Sequence, residues 1–196
     1  MRHLLTAAAA AAVLTASASS AQAFFHLLFQ PQPQSPTQQY YRSEPTSRVQ
    51  ISPIPRQIVK FSGYEPGTIV VKTAERRLYL VLEDGKAMRY GVGVGRKGFT
   101  WTGTHPITLK REWPDWRPPT AMLRRRPDLP RYMRGGVANP LGARAMYIGD
   151  TEYRIHGSNE PGTIGTAVSS GCIRLTNADV IDLYKRVKVG AKVVVL

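Results

Sequence analysis

The sequence predicts a mainly β domain, a sandwich or barrel, with one short helix in its C-terminal region. Two observations lead there. Short β-branched and aromatic runs separated by turn signals recur from Gly67 to the end of the chain, the pattern of an all-β sandwich or barrel. Only one stretch, opening at Asn177, carries apolar residues at convincing helical spacing.

Taken in order, GTIVVKT from Gly67 reads as the first firm strand. RRLYLVLEDGKAMRYGVGVG reads as a hairpin: Leu78, Leu80 and Leu82 alternate, Asp84-Gly85 turns the chain, and a second arm runs through Met88 and Tyr90 to Val94. HPITLKREW gives another strand, ARAMYIGDTEYRIHG gives two arms around Gly149-Asp150, and AKVVVL gives the last. In the helix Asn177 can serve as cap and Asp179 sits in the first turn. Val180, Ile181, Tyr184 and Val187 share a face, and Gly190 lies just beyond the end.

Before these strands lie two segments of different character. Residues 1–23 read as a secretory signal peptide: Arg2, an apolar run from Leu4 to Val13, and an Ala21-Gln22-Ala23 cleavage site. The run is too short for a resident membrane span, so no stable span is expected after cleavage. Residues 24–64 are rich in Pro, Gln and Ser and read as a disordered tether, with one short ordered piece near Ile58 to Phe61. Residues 65–196 form the expected folded domain.

Between Glu112 and Gly142 the pattern breaks down, with five prolines in Trp113–Pro130 and five arginines in Arg124–Arg134. This irregular loop suits a lid or substrate wall, with Trp113 and Trp116 as substrate-binding candidates, or an insertion packed on the core. The formal charge of +14 falls to +13 once Arg2 leaves with the leader. An exported basic protein meets anionic envelope polymers or lipids, and the chain has no nucleic-acid motif.

Cys172 is the only cysteine in the chain, which rules out an intramolecular disulfide. A thiol used chemically needs a base or a positive charge beside it. Two histidines remain in the predicted domain, His105 and His156, and His156 ends a predicted strand. Glycines at 157, 162, 165 and 171 permit close backbone approach, and the amides of Gly171 and Cys172 could form an oxyanion hole. Singly, Cys172 reads as a small buried hydrophobe and His156 as a core histidine.

Together they resemble a family. His156-Gly157, then Ser169-Ser170-Gly171-Cys172-Ile173-Arg174 and Asn177, are similar to the signature of the L,D-transpeptidase catalytic domain of YkuD type. The likeness runs from about Gly67 to Leu196, through GVGVGR and NPLGARAMYIG. It implies Cys172 as nucleophile, His156 as general base and acid, and the Gly157 carbonyl orienting the imidazole. It also implies Ser170 and Gly171 in the site loop and Ser169 and Arg174 at the substrate. Arg174 reads equally well as a surface ion pair. Ser170 departs from the pattern, standing where most members have a second histidine. A serine carries no charge near neutral pH, so that residue's part must be weakened or supplied elsewhere.

The implied activity is transfer of peptidoglycan stem tetrapeptides through a cysteine thioester to form 3→3 cross-links. The implied setting is the periplasm or envelope of a Gram-negative bacterium. Neither metal nor cofactor is expected. The motif leaves the acceptor open: another stem peptide, water, or an outer-membrane protein or lipoprotein. A non-catalytic wall-binding module is a further alternative. AVSSG is a near miss to a serine-hydrolase elbow, and a zinc site from Cys172, His156 and His105 lacks ligand spacing.

Overall fold

A computed structural model describes residues 52–196. The expected leader and the tether as far as residue 51 lie outside the described residues. In chain order come β1 (Gln57–Lys60), β2 (Ile69–Lys72), β3 (Arg77–Val81), β4 (Lys86–Gly91) and β5 (Val94–Gly95). They are followed by β6 (Gly103–Glu112), α1 (Thr120–Arg125), β7 (Arg144–Ile148), β8 (Arg154–His156) and a 3-10 turn (Pro161–Thr163). The last elements are β9 (Ala167–Ser169), β10 (Ile173–Arg174), α2 (Asn177–Arg186) and β11 (Lys192–Val195). The protein is mainly β, as its sequence predicts.

Nine strands form one ladder in the order β1-β4-β3-β2-β11-β6-β7-β8-β10, and β5 pairs with β9 apart from it. The long strand β6 serves two neighbours. Its Gly103–Pro106 half pairs with β11, and Ile107 onward pairs with β7, with a register shift between Ile107 and Leu109. Such a bulge bends a strand and sharpens its twist, so the ladder folds into two leaves that share β6. Both leaves feed a single core. Ile69, Leu78 and Tyr90 come from one leaf, Met146, Ile148 and Ile155 from the other, and Val180 and Leu183 from α2, all fully buried.

Helix α2 differs in detail from its sequence reading. Thr176, not Asn177, is the cap, its hydroxyl accepting from the Asp179 N–H at 3.2 Å. Leu183 replaces Ile181 on the buried face, because the face runs Val180–Leu183–Val187 and leaves Ile181 half-buried. Asn177 is thereby released to join two elements. Its Oδ1 accepts from the Ala143 N–H at 2.8 Å, tying the start of α2 to the start of β7.

The short ordered piece expected near Ile58 to Phe61 is present as β1 (Gln57–Lys60). From Ser52 the chain is packed on the domain, and β1 pairs antiparallel with β4. The cause lies in β2, whose run Ile-Val-Val is buried on both faces. Val59 and Phe61 cover its outer face beside Val70, Tyr79 and Val81, with Phe61 stacked on Tyr79 at 4.5 Å between centroids. Upstream, Ile54 fills space left by two glycines. A Cβ on Gly91 would meet Ile54 Cβ at 2.5 Å, and one on Gly165 would meet Ile54 Cδ1 at 2.8 Å.

The 112–142 stretch is ordered and holds the unforeseen helix α1. Trp116, Met133 and Leu141 form a small core of their own, flanked by Met122 and Leu129. Trp116 and Met133 exchange two backbone hydrogen bonds of 2.8 Å. Asn139 Nδ2 donates to the carbonyls of Pro114, Met133 and Arg134.

Candidate active site

Strands β8 and β10 run parallel, with Ile155 opposite Ile173 and His156 opposite Arg174. Carrying that register back one residue sets Arg154 opposite Cys172. Side chains alternate faces along a strand, and neighbouring strands lie about 4.8 Å apart. Arg154, His156, Cys172 and Arg174 therefore share one face as a two-by-two array, and all four line a cavity of about 780 Å³. Ile155 and Ile173 point the other way, into the core, each at most 1% exposed. The array is thus anchored by hydrophobic burial directly beneath it.

The loop carrying Cys172 is held from two sides. GVGVGR runs alongside it: Gly93 exchanges backbone hydrogen bonds of 2.9 Å with Arg174, and the Arg96 N–H donates to the Ser169 carbonyl at 3.0 Å. A Cβ on Gly93 would stand 3.0 Å from the Thr163 carbonyl oxygen, which accounts for glycine there. Within the loop Ser169 Oγ donates to the Cys172 carbonyl at 2.6 Å and accepts from the Gly171 N–H at 3.1 Å. Of the two amides expected to form an oxyanion hole, that of Gly171 is thus engaged within the loop. Gly171 has φ of +111° and lies against the ring of Tyr153.

Cys172, His156, Ser169, Ser170, Arg174 and Trp116 all line the cavity. Trp113 does not. It is 42% exposed and its backbone turns at φ +42°; of the two tryptophans expected as a substrate wall, Trp116, buried in the small core, faces the cleft. Arg174 Nη1 meets Glu160 at 3.2 Å, so its ion pair lies within the cleft wall. His105 does not line the cavity, and its ring lies 6.1 Å from that of Trp101.

Four residues escaped sequence reasoning. Trp101 Nε1 donates to the Gly171 carbonyl at 2.9 Å, and its ring stacks on Tyr153 at 4.5 Å. Arg96 Nη1 donates to Ser170 Oγ at 3.3 Å, so a cation stands beside the serine that replaces the second histidine. The fourth is Arg154, whose signal was its two-residue spacing from His156.

His156 is 4% exposed, and its Nδ1 lies 2.6 Å from the Gly157 carbonyl oxygen. A carbonyl can only accept, so Nδ1 carries the proton and Nε2 of the neutral ring keeps its lone pair. Burial, reinforced by the charge of Arg174, pushes the imidazole down to about 3. Burial pushes the half-buried Cys172 thiol up, while the Arg154 N–H, its guanidinium and Arg174 pull the other way. At neutral pH the resting pair is therefore a thiol beside a neutral imidazole, in place of a thiolate–imidazolium pair.

A two-leaved β domain with a thiol and an imidazole on one sheet edge, over an arginine-lined cleft, defines a class of cysteine-bearing β-sandwich domains. The family model described as the L,D-transpeptidase catalytic domain matches residues 66–195, and the chain belongs to this family. It is 37% identical over 152 residues to "Probable L,D-transpeptidase ErfK/SrfK" of Escherichia coli K12, covering 73% of this chain and 48% of that protein. It is 34% identical over 149 residues to "Probable L,D-transpeptidase YbiS" of the same organism, covering 71% and 47%. The chain thus spans about half the length of these curated relatives. Among solved structures, one from Brucella melitensis, described as a probable carnitine operon oxidoreductase, is 47% identical. It covers 74% of this chain and 96% of its own, with a TM-score of 0.51. An L,D-transpeptidase from Mycobacterium smegmatis shares the fold, with a TM-score of 0.54, 18% identity and coverage of 66% and 58%.

Proposed function

We propose that the protein is an exported L,D-transpeptidase that acts on peptidoglycan stem tetrapeptides through a thioester on Cys172. The observation that carries this reading is the β8–β10 array, which sets Cys172 and a neutral, carbonyl-oriented His156 on one face of one cleft. In the first half-reaction His156 Nε2 takes the thiol proton as Sγ bonds to the carbonyl carbon at the L-centre of the stem's diamino acid. The carbon–nitrogen bond to the terminal D-alanine then breaks, and its amine leaves with the proton held by His156. In the second half an acceptor amine attacks the thioester and gives its proton to His156; the carbon–sulfur bond breaks and His156 returns the proton to Sγ, leaving a free thiol and a 3→3 cross-link.

The cleft's cationic lining supports an anionic peptide as ligand: Arg96, Arg125, Arg126, Arg154 and Arg174 outnumber Glu152 and Glu160 there. Guanidinium matches carboxylate in geometry as well as charge. The leader at 1–23 and the tether that follows belong to the same reading, placing the catalytic domain in the periplasm. The kinship with the Brucella protein supports the fold and the relationship.

Intact-mass spectrometry tests the proposal. The protein is mixed with a carbapenem and then with purified tetrapeptide muropeptides. A stoichiometric adduct on Cys172 and a dimeric 3→3 product are expected, both lost in Cys172→Ala. Tripeptide alone would make water the acceptor, and an unreacted thiol with no turnover would overturn the enzymatic reading.

A further inference from the structure

We propose that Arg154 is a further catalytic residue, the fixed positive charge that stabilises the negative charge developing on Cys172 Sγ and on the substrate oxygen. This rests on Cys172 being the nucleophile. Its starting point is Ser170, which cannot hold a charge beside the thiol.

Arg96, Arg125, Arg126, Arg154 and Arg174 line the cavity with Cys172. Arg125 and Arg126 belong to the 112–142 stretch, and the other three lie on β8, on β10 and beside Ser170, where their other engagements separate them. Arg174 is opposite His156, and its charge is answered by Glu160 at 3.2 Å. Arg96 is directed at Ser170 Oγ and sits over the Phe99 ring at 4.1 Å. Arg154 is the residue opposite Cys172, and none of the ion pairs among the described residues includes it. Its Nη1 donates to the Glu152 carbonyl at 3.1 Å, and the Cys172 thiol is aimed at that same oxygen at 3.9 Å. Guanidinium and thiol thus converge on one acceptor. Its plane is steadied by Tyr147, 4.9 Å from the ring centroid. Arg154 Nε, like Arg174 Nε in the same cavity, is a buried donor with no hydrogen-bond partner, and a buried unpaired donor is costly unless a ligand engages it. Arg154 differs in having no carboxylate among the described residues to answer its charge. The geometry leaves that N–H for an oxygen that enters the cleft.

The chemistry fits a group that never releases a proton, since guanidinium stays charged throughout. As the Sγ proton passes to His156 Nε2, the charge left on sulfur faces Arg154. As the carbon–sulfur bond forms, the charge moves to the substrate oxygen within reach of the same cation. A preorganised charge in a partly dry site is worth far more than one in water. The charged groups around the thiol are Arg154 on β8, Arg174 on β10, Glu152 before β8, Glu160 across the cleft and Arg96 behind Ser170, with His156 neutral.

The test is the pH dependence of iodoacetamide alkylation of Cys172 in the full chain, followed by intact mass. Arg154→Met and Arg154→Gln are expected to move the thiol titration to higher pH by about one pH unit, which slows alkylation at pH 7 roughly tenfold. Arg154→Lys should recover much of that rate. Arg124→Met, outside the cleft, controls for lost net charge and should match the wild type. Ser170→His added to Arg154→Met should restore reactivity. Equal alkylation profiles for Met, Gln, Lys and wild type would overturn the proposal, and so would a Lys variant no faster than Gln. If the Arg154 series behaves as expected but no variant or wild type is acylated by a carbapenem, the transpeptidase reading fails while the role of Arg154 toward the thiol stands.

Discussion

His156 has a consequence for stability that can be separated from catalysis. An unfolded histidine titrates near 6.5, whereas burial holds the folded ring at about 3. Between those values the unfolded chain binds a proton that the folded chain refuses. The stability contributed by the neutral ring is thus complete above pH 6.5 and is lost as pH falls, by up to about 1.4 kcal/mol per pH unit. Urea unfolding at pH 7 and pH 5 should show the wild type losing about 2 kcal/mol more than His156→Gln. Equal losses would mean that the folded ring still takes its proton near its ordinary value. Cys172 and His156 were legible in the sequence because a long ordered motif surrounds them. Arg154 was not, since a lone arginine two residues before a histidine is distinctive only once a strand is known to run there. Trp101 and Tyr153 act by stacking beneath Gly171, a contact between distant segments that no local pattern announces.

The elements divide by how much periodicity they carry. β2, β3, β4, β6 and β7 were readable from alternation and from the Asp84-Gly85 and Gly149-Asp150 turns. β5, β9 and β10 are two or three residues long and consist largely of Gly, Ser and single apolar residues, too short for a period to show. They are the strands that hold the Cys172 loop. α1 hides in an arginine- and proline-rich stretch because its neighbours, not its own face, supply the burial. Asn177 joins elements in a way its place in the motif did not explain. Its Oδ1 satisfies the Ala143 N–H, and neither Gly142 nor Gly157 has room for a Cβ beside it. Asn177→Ala should leave that buried N–H unpaired at a cost of about 1–3 kcal/mol, read as a lower melting temperature, while Asn177→Asp keeps the acceptor and should stay near wild type. An alanine variant that melts with the wild type would remove the joint's importance.

For the whole domain, the segment before residue 65 belongs to the fold. Val59, Phe61 and Ile54 give the outer side of β2–β3–β4 and two glycine notches their cover. Deleting residues up to Tyr64 should cost about 3 kcal/mol or more, discounting the usual 1.5–3 kcal/mol per apolar side chain for partial burial. A melting temperature roughly 10 °C below that of a chain starting at Ser52 is expected for a domain of this size. Equal melting would make β1 a passive passenger. The sequence marked an ordered piece near Ile58 to Phe61, but not the packing of the chain from Ser52, because prolines spread along the stretch look alike whether the chain between them is packed or not.

The place of β11 bears on how the molecule comes together in time. It is the latest strand in chain order among the described residues, yet it lies mid-ladder, parallel to β2 on one side and antiparallel to β6 on the other. Until Lys192–Val195 have been synthesised, β2 and β6 each present a bare row of backbone donors and acceptors. A nascent chain therefore carries two unzipped edges at once, and the closing contact spans more than a hundred residues of sequence. Such long-range closure is slow, and open edges recruit one another between chains. The interval before β11 docks is when this chain is most exposed to aggregation.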